Sequence, residues 1–168
     1  MNPIMKTIVV GIGNPILGDD GVGIHISREL QKNKHFSSDV TVEEAQTGGM
    51  NLLDLISGFD HAILVDAVSL NGCTHGEINR YDLSDLPTVH SQNPHDVSLS
   101  EAISLTKALG HSSVPKKIII IGVNLKQIPR EFTETISPEI QACIPQAVDL
   151  ILSELKRLTE QDSVNMNT

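Results

Sequence analysis

The sequence predicts an α/β fold: a largely parallel central sheet of about five strands with helices on both faces, a three-layer α/β/α sandwich. Two observations carry this. Apolar, β-branched runs of strand length alternate with helical patterns from one end of the chain to the other, as they do where βα units wind onto a parallel sheet. The central runs are also apolar at successive positions rather than at every second one, as in strands buried on both faces.

The elements follow in order. Lys6–Gly11 (KTIVVG) is a continuous β-branched run and reads as a buried strand. Val22, Ile26 and Leu30 recur at i, i+4 and i+8, so Gly21–Lys32 reads as an amphipathic helix. Val40–Glu44 is a short strand, and Asn51–Ser57 (NLLDLIS) a short helix that Gly58 ends. His61–Val65 (HAILV) is a second buried strand that stops at Asp66, and Glu77–Leu83 (EINRYDL) alternates loosely, as an edge strand does. Ser98 and Glu101 have capping-box spacing before a helix marked by Leu99, Ala102, Ile103 and Leu109. Lys116–Gly122 (KKIIIIG) is another central strand. Ser137-Pro138, a cap followed by proline at the first helical position, opens a last helix running to about Leu158. No repeat and no linker interrupts the pattern, so residues 1–160 read as a single domain and 161–168 as a polar, fraying tail.

Bulk properties narrow the function. The chain has 168 residues, with 12 Lys plus Arg against 21 Asp plus Glu, a net charge of −9 with histidine neutral. Nucleic acid and anionic membranes are therefore not expected partners, and 2% aromatic content leaves little for stacking on bases. Cys73 and Cys143 form no CxxC pair and predict neither a disulfide framework nor a zinc–cysteine site. MNPIMKTIVV has no basic segment leading into a long apolar stretch, and the longest apolar runs are strand-length, so the expectation is a cytoplasmic protein.

In open parallel sheets, ligands bind beyond the carboxyl ends of the strands. The segment GIGNPILGDDGVG (Gly11–Gly23) follows the first strand and places two aspartates in a glycine-rich loop. A phosphate site would want anion-attracting groups there. Gly11 and Gly13 suit a dinucleotide fingerprint, but Ile16 stands where its third glycine belongs and the next glycine is Gly18. Either Asp19 or Asp20 caps the following helix, or one of them binds a cation. Asp66 follows four apolar residues, and a carboxylate buried there without a partner is costly. Hydrogen bonds to loop amides would satisfy it; the sharper reading is a metal ligand or catalytic acid. His95, in HSQNPHDVSLSEA, lies three residues before the Ser98 cap near the same end of the sheet. His90 competes with it, and Asp96 could orient an imidazole from outside the ligand set. His25 falls on the first helix, and His35, His61, His75 and His111 read as surface or strand-edge residues. No HExxH motif is present. Two carboxylates and an imidazole suit Ni²⁺, Zn²⁺ or Mn²⁺, with positions left for substrate or water.

These segments together resemble the hydrogenase maturation proteases, endopeptidases that trim the large subunit of [NiFe] hydrogenases. The resemblance spans nearly the whole chain. It rests on IVVGIGNPILGDDGVG (Ile8–Gly23), ILVDAV (Ile63–Val68), SQNPHDVSLSEAI (Ser91–Ile103), IIIIGV (Ile118–Val123) and ISPEI (Ile136–Ile140). The family's metal-binding trio maps onto Asp20, Asp66 and His95, which leaves Asp19 as the cap. The resemblance implies a phosphorylase/hydrolase-like sandwich and a precursor cut near its C-terminus after nickel insertion. It further implies nickel supplied with the substrate as the recognition element, with zinc or cadmium able to stand in. Gly48 and Gly49 in TGGMNLL resemble a loop lining the cleft. After the last central strand the chain departs from the family's Ile-Gly-Ile-Gln-Pro, reading Ile121-Gly122-Val123-Asn124-Leu125. Two rivals share features. Peptidyl-tRNA hydrolases also begin with a strand and G-x-G-N-P, but their catalytic Asn–His arrangement after the glycine loop is absent, and the charge disfavours tRNA. A non-catalytic module that docks nickel or the precursor would share the ligands and release no peptide.

Overall fold

The computed structural model describes residues 5–32, 36–46, 48–85, 98–110, 113–127, 129 and 131–165. Five strands, β1 (Thr7–Ile12), β2 (Val40–Ala45), β3 (His61–Val68), β4 (Ile78–Asp82) and β5 (Lys117–Asn124), form one sheet in the order β2-β1-β3-β5-β4. The β1–β2, β1–β3 and β3–β5 pairs are parallel. The edge strand β4 runs antiparallel to β5. Among the described residues four helices cover the sheet: α1 (Val22–Lys32), α2 (Gly49–Ile56), α3 (Leu99–Ala108) and α4 (Pro138–Asn165). The expected α/β/α sandwich is the fold observed.

Alternation along each strand divides the core in two. Val9, Ile63, Val65, Ile119 and Ile121 face α1 and α4, whose Val22, Ile26, Leu30, Ile144, Ile151 and Leu155 complete that layer. Ile8, Val10, Ala62, Leu64, Val68 and Ile120 face α2 and α3 through Leu52, Leu53, Ile56, Leu99 and Ala102. Every residue of β1 and β3 is buried, which is why the sequence there shows no period of two.

The helix ends have local causes. Ser98 Oγ accepts the Glu101 N–H at 3.2 Å while Glu101 Oε2 accepts the Ser98 N–H at 2.9 Å, so the predicted capping box is formed. The head of α4 lies at Pro138 as expected, but the helix continues past Leu158 to Asn165. Pro145 sits within it on the exposed side, where the Gln141 carbonyl that loses its donor faces water. Two expectations are corrected. β3 does not stop at Asp66 but runs on to Val68, because β5 goes on pairing with it as far as Val68↔Asn124. His61 is not a surface residue: it is buried at the start of β3, and its Nε2 lies 3.0 Å from Asp162 on α4. No helix among the described residues is long and apolar enough to cross a membrane.

Candidate active site

β1 turns toward β2 on one side and β3 toward β5 on the other, so the sheet's topological switch point lies between β1 and β3. Their pairing ends at Gly11↔Val65. Asp66 is the next residue of β3, still paired with Gly122 of β5 but past its last β1 partner. By alternation its side chain is on the α2–α3 side of the sheet.

The loop from β1 to α1 delivers Asp20 to this opening. Gly13 N–H bonds the Ala45 carbonyl at 3.1 Å, extending β1 one step along β2. At Gly13 φ is +148°, and a Cβ there would strike the Asp20 carbonyl oxygen. Only glycine allows the loop to fold back this far. Asn14 then fixes the bend: its N–H donates to Asp20 Oδ2 at 3.0 Å and its Oδ1 accepts the Ile16 N–H at 3.2 Å. A 3₁₀ turn, Gly18–Gly21, follows and leads directly into α1. At Gly23 an added Cβ would strike the carbonyl oxygens of Ile12 and Val65, so the first turn of α1 rests on the ends of both strands.

Asp19 does not cap α1. The interposed 3₁₀ turn has no side-chain cap, and Asp19 reaches away to the head of α4. Its Oδ1 accepts the Ser137 N–H at 2.7 Å and its Oδ2 the Ser137 hydroxyl at 2.8 Å. His75 Nε2 approaches the same oxygen at 4.0 Å, while His75 Nδ1 accepts the Lys126 N–H at 3.3 Å.

Asp66 is 3% exposed, and its Oδ2 has no hydrogen-bond partner among the described residues. Burial holds its carboxyl well above the usual carboxylate range. The charge of Asp20 raises it further, against a smaller opposing effect from the Ala67 N–H. The chain thus brings Asp20 and Asp66 into electrostatic contact at the switch point, with one oxygen sealed from water and unbonded. A cation suits such a pair and an anion does not.

His95, its competitor His90, the neighbouring Asp96, and also His35 and His111 lie outside the described residues. Among the described residues no group of three or more His, Cys, Asp or Glu could hold a metal ion. His25, half-buried on α1, has its pKa lowered, first by burial and then by Arg28. Gly48 precedes α2 and Gly49, with φ +58°, begins it.

The departure at Asn124 has a structural use. Buried at the end of β5, Asn124 accepts the Leu70 N–H at 2.9 Å and donates to the Cys73 and Thr74 carbonyls at 3.1 and 3.0 Å. It secures the loop after β3. From the sequence, Ser137 reads only as a cap and His75 as a surface or strand-edge residue. The Asp19–Ser137 contact joins residues 118 positions apart, so no local pattern could have announced it.

Residues 24–154 match the family described as hydrogenase maturation protease. That span includes Asp66 and His95 and begins just after Asp20. Over 156 residues the chain is 27% identical to the hydrogenase 2 maturation protease of Escherichia coli (strain K12), covering 90% of this chain and 92% of that one. It is also 27% identical over 156 residues to the coenzyme F420 hydrogenase subunit delta of Methanothermobacter thermautotrophicus, covering 89% and 94%. The solved hydrogenase maturating endopeptidase HybD from E. coli superposes with a TM-score of 0.74 at 26% identity, over 91% of this chain and 93% of that one. A family match across most of the chain, on a shared fold, shows that the chain belongs to the hydrogenase maturation protease family.

Proposed function

We propose that this protein removes the C-terminal extension of a [NiFe] hydrogenase large-subunit precursor after nickel insertion. In this reading the nickel on the substrate is the recognition element, and Asp20, Asp66 and His95 are the residues that receive it. The observation that carries the reading is the buried, unbonded Oδ2 of Asp66 beside the charge of Asp20. The charge of the partly buried Asp20 opposes ionisation of the buried Asp66, and a divalent cation between them would turn that cost into ligation. The position of α3 supports His95 as the third member. Ser98 caps α3, His95 lies three residues before Ser98, and Leu99 packs in the layer on the Asp66 side of the sheet.

Asp20, Asp66 and His95 would hold such an ion, which would supply positive charge to polarise the scissile carbonyl. The chain's own residues supply the rest. Burial favours the protonated form of Asp66, and ligation of the cation would release that proton. In this reading either the ion activates the attacking water or a carboxylate oxygen not engaged by it accepts that water's proton. Asn14 and Gly13 hold Asp20 in position throughout. Zinc or cadmium in place of nickel would fill the same ligand set.

The test is mass spectrometry of the nickel-loaded precursor from the same source before and after mixing, with nickel-free precursor alongside. Loss of a C-terminal peptide from the loaded form alone is the expected result. Asp20→Asn, Asp66→Asn and His95→Ala are each expected to slow processing by about 10²-fold or more while far-UV circular dichroism is unchanged. Wild-type rates in all three would remove the site assignment. A second reading is favoured by the relative named as a hydrogenase subunit: a module that docks the precursor without cutting it. A stable complex with no peptide released would support that reading instead.

A further inference from the structure

Beside the candidate site, two large apolar side chains stand in solvent at neighbouring positions. Ile16 is 45% exposed and Phe132 is 82% exposed. The other two phenylalanines, Phe36 and Phe59, pack against the core. A single exposed apolar residue needs no explanation, but these two are placed together by backbone structure. The Thr133 N–H donates to the Ile16 carbonyl at 2.8 Å and the Gly18 N–H to the Thr133 carbonyl at 2.7 Å, forming a parallel bridge between Leu17 and Thr133. The bridge therefore brings the backbones of Ile16 and Phe132, the residues just before its two partners, side by side.

The bridge is held at both ends. Asn14 anchors Ile16 from one side. On the other, Asp19 grips Ser137, four residues beyond Thr133. The loop that presents Ile16 is the loop that presents Asp20, so the apolar pair lies beside the candidate site. The surroundings are acidic. Residues 14–22 and 130–143 contain Asp19, Asp20, Glu131, Glu134 and Glu139 against a single basic residue, Arg130. Glu131 and Glu134, on either side of Phe132 and Thr133, are both exposed.

We propose that Ile16 and Phe132 are the docking ridge for the precursor. The ridge takes an extended segment flanking the cut bond, with an apolar side chain lying across the pair and a lysine or arginine drawn to Glu131 and Glu134. The inference rests on the maturation reading above and adds to it the chemistry of the recognised segment. The ridge contributes binding that is equal in ground and transition states, so it sets KM rather than kcat.

The experiment measures steady-state processing, and Kd by titration, with the nickel-loaded precursor. Ile16→Ser/Phe132→Ser is expected to raise KM and Kd about 10-fold or more, with kcat within about twofold of wild type. Phe132→Leu, which keeps an apolar surface, is expected to recover most of that loss. Wild-type KM is expected to rise with salt, and Glu131→Gln/Glu134→Gln to start higher and respond less. If the serine variant keeps wild-type KM and Kd while the wild type cleaves, the ridge is wrong and the protease reading stands. If the serine variant loses kcat at unchanged KM, the two residues support the loop and do not dock substrate. If the wild type neither binds nor cleaves the precursor, the maturation reading fails and the ridge fails with it.

Discussion

At the scale of the residue, Asp66 answers two opposed demands. Burial and the charge of Asp20 keep its proton on, whereas ligation of a cation needs the proton off. The sign for stability follows from the raised folded-state pKa. Below the ordinary carboxylate range Asp66 is neutral in both folded and unfolded chains and costs nothing. As pH rises past that range, the unfolded chain ionises freely, the folded one resists, and stability is lost until the raised value is passed. Asp66→Asn, a neutral isostere, is therefore expected to melt higher than wild type at pH 8 without metal and close to wild type at pH 4. A gap of about 2–4 °C or more at pH 8 corresponds to roughly 1 kcal/mol in a chain of this size. Identical melting temperatures across the pH range would show that Asp66 is not held neutral by the fold. This residue was legible in the sequence because an acid after HAILV has few inexpensive explanations. His61 was not, since its partner Asp162 lies 101 positions away and its strand-end position resembles a solvent-facing one.

At the scale of the element, the β1–α1 unit explains why the loop is rich in glycine. In a dinucleotide site such glycines let backbone approach a phosphate; here they let backbone approach backbone. Gly23 rests on the carbonyls of two different strands, and Gly13 rests on the carbonyl of Asp20. Gly23→Ala is expected to destabilise the protein by about 2 kcal/mol or more, read as a lower urea midpoint, because neither strand end can retreat without breaking the sheet. A midpoint within error of wild type would mean that α1 can slide off the strand ends. The element boundaries that sequence reasoning placed well are those with a local chemical signal, such as the Ser98–Glu101 box and the Ser137-Pro138 start. Those it placed short, the ends of β3 and α4, are set by a partner that goes on pairing or packing. No residue within the element records that.

At the scale of the whole molecule, alternating apolar runs made the three-layer class legible, because layer order follows from which residues must be buried. Strand order and the antiparallel direction of β4 were not, since residues 69–77, between β3 and β4, carry the chain past the place that β5 fills and reverse it, and no local pattern records that. Burial predicts an ordering of local stability. β3 is buried throughout and paired on both sides, whereas β4 is half-exposed and paired only with β5. Amides of β3 are expected to exchange with solvent at least about 100-fold more slowly than those of β4, measured by hydrogen–deuterium exchange. Equal protection would mean that the sheet opens only as a unit.

The longest helix carries one more consequence. α4 has 28 residues and a length of about 42 Å. It is fastened near its head to the loop of Asp20, through Ser137 and Asp19, and near its tail to the foot of β3, through Asp162 and His61. It works as a tie-rod between the two ends of the sheet. A chain cut after Glu160 would shed a mostly polar segment, yet it would remove the bolt at one end of that rod. The C-terminal turns are in this sense part of the foundation of the site, although they lie at the opposite end of the sheet from it.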